Sequence, residues 1–242
     1  MAMLFLLLTT TGFARAETVT VAVASNFAET ARELAAAYEE RSGHEVVLIQ
    51  GSTGKLHAQI VNGAPFDVFL SADVARAAVL PAAEDGRFIY AIGQLTLWSP
   101  DPTLTGADCF AEMVDSDGGR IAIANPALAP YGLAARNYLE EAYRWHVVED
   151  RLVYGESVAQ AFQFVATGNA RFGFVATGQL DEATLAVGCH SHILKLDGLD
   201  QQAVLLERAA DNPAARGFFE YLNSDDARAR IVRNGYGLYA KS

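Results

Sequence analysis

Basic residues are scarce in this chain. Lys and Arg total 18 against 29 Asp and Glu among 242 residues, a formal net charge of -11. Nucleic acid needs a basic face, so that class of partner is excluded. The overall field also repels anions, so any anionic ligand has to be caught by local donors. Cysteine is nearly absent, with Cys109 and Cys189 the whole complement. One disulfide and two buried free thiols are both open, and the even count favours the bridge if the chain is exported. Repeats, low-complexity tracts and flexible linkers are missing. Past the first residues, no run is long and apolar enough to cross a bilayer.

Apolar residues, by contrast, make up 51% of the chain, enough for a sizeable core. The length allows one large domain or two smaller ones. Met3 to Thr11 is a short apolar run, and Ala14-Arg15-Ala16 supplies a small-x-small cleavage pattern. These are features of a signal peptide over residues 1–16, although the basic n-region is lacking. The expectation is an exported, periplasmic protein with a mature chain from about Glu17.

The chain alternates strand and helix signals almost throughout, the α/β pattern. Thr18–Val23 reads as a strand rich in β-branched residues, and Phe27, Ala31, Leu34, Ala35 and Tyr38 recur at helical spacing after it. That helix should end at Gly43, a good left-handed cap. Glu45–Ile49 is the next strand. A helix with Leu56, Ile60 and Val61 as its apolar face follows it. Asp67–Leu70 is a third strand, and Phe88–Trp98 reads as one long strand running toward a second domain. A new α/β series begins at Arg120–Ala124. It leads through Pro130-Tyr131-Gly132 into a helix carrying Leu133, Tyr138 and Leu139. Leu152–Tyr154, Phe172–Ala176 and His192–Leu196 are further strands. Asn212-Pro213 and Ser224-Asp225 open the last helices.

Four strand-to-helix junctions share one design: Ser25/Asn26, Ser52/Thr53, Pro130-Tyr131-Gly132 and Ser157/Val158. The first N–H groups of a helix lack intrahelical partners and carry partial positive charge, so such a junction can hold an anion. Asn26 alone could equally be a helix cap, with Glu29 in the capping-box position. In an open α/β sheet, ligands bind beyond the carboxyl ends of the strands. Two domains facing each other could bring all four junctions to one small anion, using neutral donors only. Lys55 is expected to point to solvent.

Catalytic readings find little support. A phosphate loop at 49–56 would need glycine at 49 and a hydroxyl residue at 56, where Ile49 and Leu56 stand. Ser52 and Ser157 lack the glycines of a nucleophile elbow and have no obvious histidine partner. Cys189-His190-Ser191-His192 could supply metal ligands from one strand face but reads better as a surface strand end. No metal, cofactor or catalytic residue is expected.

The sequence resembles the periplasmic molybdate-binding proteins of ABC importers. The matches are Ala24-Ser25-Asn26-Phe27, Gly51-Ser52-Thr53-Gly54-Lys55-Leu56, Gly63-Ala64-Pro65 with Asp67-Val68-Phe69, and Ser71-Ala72-Asp73. They continue with Asn125-Pro126, Pro130-Tyr131-Gly132, Glu156-Ser157-Val158 and Asn234-Gly235-Tyr236-Gly237. The resemblance implies an α/β fold of the type II periplasmic binding protein class, two α/β domains with a ligand cleft between them. Residues 17–90 and 203–242 would form domain I, and 91–202 domain II. It implies oxyanion contacts at Ser25, Asn26, Ser52, Thr53, Tyr131 and Val158. Asn26 and Thr53 would offer side-chain and backbone donors, Tyr131 and Val158 backbone N–H groups. A tyrosine hydroxyl that the family places on the anion has no counterpart here, where Ala176 stands. The implied function is capture of molybdate or tungstate for a membrane permease, by a monomer that is not an enzyme. Sulfate binding and an exported enzyme acting on a small anion are the alternatives.

Overall fold

The computed structural model describes residues 16–115, 118–193 and 199–240. The signal-peptide expectation, Ala16 apart, lies outside the described residues. In chain order, β1 (Thr18–Ala24) leads through a 3-10 turn into α1 (Ala28–Ser42). β2 (Glu45–Gly51), α2 (Thr53–Val61), β3 (Val68–Ser71) and α3 (Val74–Ala78) follow. Next come β4 (Ala82–Ile92), β5 (Leu95–Ser99), α4 (Cys109–Asp115), β6 (Ile121–Ala124), α5 (Pro130–Glu141) and α6 (Trp145–Val148). The chain continues with β7 (Leu152–Gly155), α7 (Val158–Ala166), β8 (Phe172–Ala176), α8 (Glu182–Leu185) and β9 (Cys189–Ile193). β10 (Asp200–Leu206), α9 (Pro213–Tyr221) and α10 (Asp225–Arg233) complete it.

The strands form two five-stranded sheets with one shared plan, β2-β1-β3-β10-β4 and β7-β6-β8-β5-β9. In each, three parallel strands come first, the fourth runs antiparallel to both its neighbours, and the fifth runs with the first three. The fourth strand in each sheet is the one that has just arrived from the other sheet. The chain therefore passes between the two sheets twice, from β4 to β5 and from β9 to β10. The fold class is the expected one, two α/β domains of the periplasmic binding protein kind.

The single strand expected over 88–98 is two strands in different sheets. β4 stops at Ile92, and the chain corners at Gly93-Gln94. Gly93 N–H donates to Leu199 O at 2.8 Å, and Gln94 O accepts from Thr177 N–H at 2.9 Å, so the corner is held by the return crossing and by the second lobe. Strand pairing carries the first sheet two residues past Tyr90 and starts its return at Asp200. The strand expected at His192–Leu196 lies earlier, at Cys189–Ile193, and residues 194–196 fall outside the described set. Val61, expected on the apolar face of α2, is 65% exposed and does not join it. Leu56 is the buried apolar residue of α2, with the partly buried Ile60 packed in the same cluster.

Local signals hold elsewhere. Gly43 closes α1 at φ 73°. The Asn212 side chain accepts from Ala214 N–H and Ala215 N–H at the start of α9, and Ser224 accepts from Ala227 N–H at the start of α10. In the first lobe, Phe27, Leu34 and Tyr38 pack with Phe218 and Ile231 against the β1 face. Cys109 of α4 and Cys189 of β9 are disulfide-bonded, with Cα atoms 5.2 Å apart, which decides between the two thiol states left open.

Candidate functional site

The parallel strands β1, β2, β6 and β7 are each followed by a helical turn, whose first N–H groups have no partner within the helix. All six residues expected at the ligand are buried: Ser25, Asn26, Ser52, Thr53, Tyr131 and Val158 are 1% to 9% exposed. Ala24 and Ala72 of the first lobe share one apolar cluster with Tyr131 and Val158 of the second, and Ala72 N–H bonds Thr53 Oγ1, which puts the four junctions at the contact between the lobes. The lobes touch around them. Gly54 N–H donates to Leu128 O at 2.9 Å, and Arg76 Nη2 donates to Ala127 O at 3.0 Å. A Cβ on Gly54 would stand 2.9 Å from that same Leu128 oxygen, so the approach requires glycine.

The six differ in what they offer. Ser52 occupies the N-cap position of α2, yet makes no capping bond, and its Oγ is buried with no partner. Native proteins rarely leave such a group orphaned. Thr53, the first residue of α2, has its Oγ1 accepting from Ala72 N–H at 3.3 Å, which leaves its own hydrogen to donate. Tyr131 and Val158 sit in the first turns of α5 and α7. Ser157, by contrast, turns its hydroxyl back to cap its own helix, accepting from Gln160 N–H at 3.3 Å.

Asn26 is not a helix cap. Ser25–Phe27 form a 3-10 turn, α1 begins at Ala28, and no side-chain cap bond is made at either start. Glu29 pairs with Arg32 on the surface instead of closing a capping box. The Asn26 Nδ2 donates to Gln201 Oε1 at 2.9 Å and to Tyr236 Oη at 3.4 Å. Both hydrogens of that amide are thereby engaged within the protein. What this junction leaves for an anion is the Ser25 hydroxyl and backbone N–H groups.

Lys55 is exposed, as expected, but it is not unpartnered. Its Nζ lies 2.6 Å from Glu156 Oε2 of the other lobe, a half-exposed ion pair across the closed contact. The sequence reading missed this pairing. It also missed Gln201, Tyr90 and Tyr236, which surround Asn26 and Tyr131 with polar atoms. A usable signal existed in Asp200-Gln201-Gln202, since alternation along a strand forces one of two adjacent glutamines inward. Burial pushes the phenols of Tyr90 and Tyr131 well above their ordinary pKa and raises that of Tyr236. These groups therefore stay neutral.

At the strand end near the disulfide, His190 and His192 are both exposed, and His192 Nδ1 is 3.0 Å from Thr96 Oγ1. No group of three or more His, Cys, Asp or Glu among the described residues could hold a metal ion. The six converging residues are neutral, and Ser52 Oγ has no base beside it. Such a set of buried neutral donors is suited to holding an anion away from water.

Two lobes of one plan, joined by two crossings and meeting at four helix starts, define a bilobal solute-binding protein. Comparison with known proteins agrees. A family model for bacterial extracellular solute-binding proteins matches residues 19–237, and the chain belongs to that family. It is 39% identical over 232 residues to the molybdate-binding protein ModA of Rhodobacter capsulatus, covering 92% of this chain and 89% of that one. Its counterpart from Azotobacter vinelandii is 40% identical over 232 residues, with 93% and 92% covered. The solved structure of the Azotobacter vinelandii periplasmic molybdate-binding protein superposes with a TM-score of 0.83 at 36% identity, covering 92% of this chain and 100% of that chain. Members of this family bind solutes rather than transform them, and the chain is not an enzyme.

Proposed function

We propose that this chain captures molybdate, and tungstate with it, in the periplasm and delivers it to the membrane permease of an ABC importer, acting as a monomer. Ser25, Asn26, Ser52, Thr53, Tyr131 and Val158 would supply the contacts, with Asn26 contributing through its backbone. The observation that carries the reading is the Ser52 hydroxyl, buried without a partner at a helix start. A dianion there would accept its hydrogen and those of the neighbouring N–H groups. The relatives named for molybdate support that choice of ligand.

The chemistry of the donor set narrows the choice. Molybdate at neutral pH carries no proton, so a site of donors alone suits it, whereas hydrogen phosphate needs an acceptor for its own proton. Molybdate and tungstate are nearly the same size, so the two should compete on similar terms. Sulfate is also unprotonated, and cavity size must reject it. Calorimetry against molybdate, tungstate, sulfate and phosphate tests the reading. Molybdate at about a hundred times its Kd should stabilise the fold by about 2.7 kcal/mol. An unchanged melting temperature at saturating molybdate and tungstate would overturn the assignment, and a preference for sulfate would replace its ligand.

A further inference from the structure

Gln201 is fully buried in β10, one residue from the point where the chain returns to the first lobe. Its surroundings leave its amide a single orientation. Tyr236 Oη donates its hydrogen to the backbone carbonyl of Asn26 at 2.7 Å, so its oxygen can only accept from the Asn26 side chain. Asn26 must therefore present its amino group, whose remaining hydrogen goes to Gln201 Oε1. Tyr90 Oη donates to the same oxygen at 2.8 Å. With both lone pairs of Oε1 taken, the amino end of Gln201 faces the other lobe, where Nε2 donates to Tyr131 Oη at 3.3 Å. One polarised chain of hydrogen bonds thus runs from the Ser25–Asn26 turn to the first turn of α5. Gly93 makes room for it, because a Cβ there would fall on the Tyr131 hydroxyl and 2.8 Å from Gln201 Nε2.

We propose that Gln201 is a positioning residue for the anion site. It fixes the Asn26 turn of one lobe against the Tyr131 turn of the other, so that their donors reach one ligand together when the lobes close. The inference rests on the anion-binding reading above. Gln201 would not touch the ligand. It would set the spacing of two groups that do, and the rigid amide suits this because each of its ends can recognise only one partner type.

The test uses two variants of the exported chain, each titrated with molybdate by calorimetry between pH 6 and pH 9. Wild type should bind with affinity flat to within about twofold, since the phenols around Gln201 stay neutral. Gln201→Met keeps the length but loses both hydrogen-bonding ends, and should weaken molybdate about tenfold or more at every pH. Gln201→Glu should bind like wild type near pH 6, where the protonated carboxyl still accepts from Asn26 and donates to Tyr131. It should lose about tenfold or more as pH rises and the introduced carboxyl ionises, because burial moves such groups up toward neutrality. Wild-type affinity for Gln201→Met would overturn the proposal and leave only charge repulsion to explain the second variant. A Gln201→Glu protein that binds weakly and equally at all pH values would overturn it too. Should neither variant fold, Tyr90→Phe removes one bond to Gln201 and keeps the ring, and unchanged molybdate affinity there would refute the role. Failure of the wild type to bind molybdate would instead defeat the functional reading itself.

Discussion

Replacing Ser52 with alanine should separate ligand binding from folding. The hydroxyl makes no hydrogen bond and does not cap α2, so its removal forfeits no internal contact. The usual cost of deleting an N-cap, about 1 kcal/mol, therefore does not apply. An unsatisfied buried polar atom costs about 1–3 kcal/mol, so without ligand Ser52→Ala should leave stability unchanged or slightly raised. With ligand the sign reverses. A hydrogen bond to a charged group contributes about 1.5–3 kcal/mol, so molybdate affinity should drop by roughly ten- to a hundredfold. Thr53→Val provides the contrast. It leaves Ala72 N–H without its acceptor and should lose about 1–3 kcal/mol of ligand-free stability as well as affinity. Urea denaturation of the ligand-free proteins and calorimetry with molybdate measure the two quantities. Lost ligand-free stability with unchanged affinity in Ser52→Ala would refute the assignment of that hydroxyl to the anion.

Lys55→Ala should weaken molybdate by no more than about fivefold, because an exposed ion pair contributes about 0–1 kcal/mol, and calorimetry should show the difference shrinking as salt rises. Reducing Cys109–Cys189 should cost about 2–5 kcal/mol in urea denaturation, while unreduced, denatured protein should titrate no free thiols. Acid should destabilise the first lobe through two carboxylates. Burial alone would raise the pKa of Glu33, but hydrogen bonds from Asn234 and Arg230 and the charges of Arg230 and Arg233 bring it below its usual range; Arg230 and Tyr221 lower that of Asp226. Their contribution is fully present above the ordinary carboxylate range of about 4 and is lost as pH falls through the depressed values, so denaturation midpoints should be flat near neutrality and fall below about pH 4. A midpoint that rises on acidification would contradict this sign.

Much of the fold could be read because each parallel strand and its helix carry their own local signals. β-branched runs end in hydroxyl or Pro-Tyr-Gly junctions, and Gly43, Asn212 and Ser224 mark helix limits by backbone chemistry alone. The break at Gly93 was not legible for the opposite reason. Ile92 and Leu95 are both apolar and strand-forming, and what turns the chain between them is a carbonyl at Leu199, a hundred residues away in sequence. The converging residues could be named, but their division of labour could not. Asn26 and Ser52 look alike as polar residues at strand ends. Only the hydrogen bonds of Gln201 and Tyr236 to the first, and the lack of any partner for the hydroxyl of the second, tell them apart. The ion pair of the exposed Lys55 was not legible because its partner, Glu156, comes from the other lobe.

The bond between Cys109 and Cys189 closes a covalent ring. Inside that ring lie β6, α5, β7, α7 and β8, including Tyr131 and Val158, while the contributions of the first lobe all lie outside. A single peptide-bond cut between the two cysteines would therefore release nothing. The severed pieces would stay tethered through sulfur, with the sheet order β7-β6-β8-β5-β9 still able to hold them in register. A cut in the first lobe has no such tether. One jaw of the clamp can thus be nicked and stay one molecule, running as two bands on a gel only after reduction, and the other cannot.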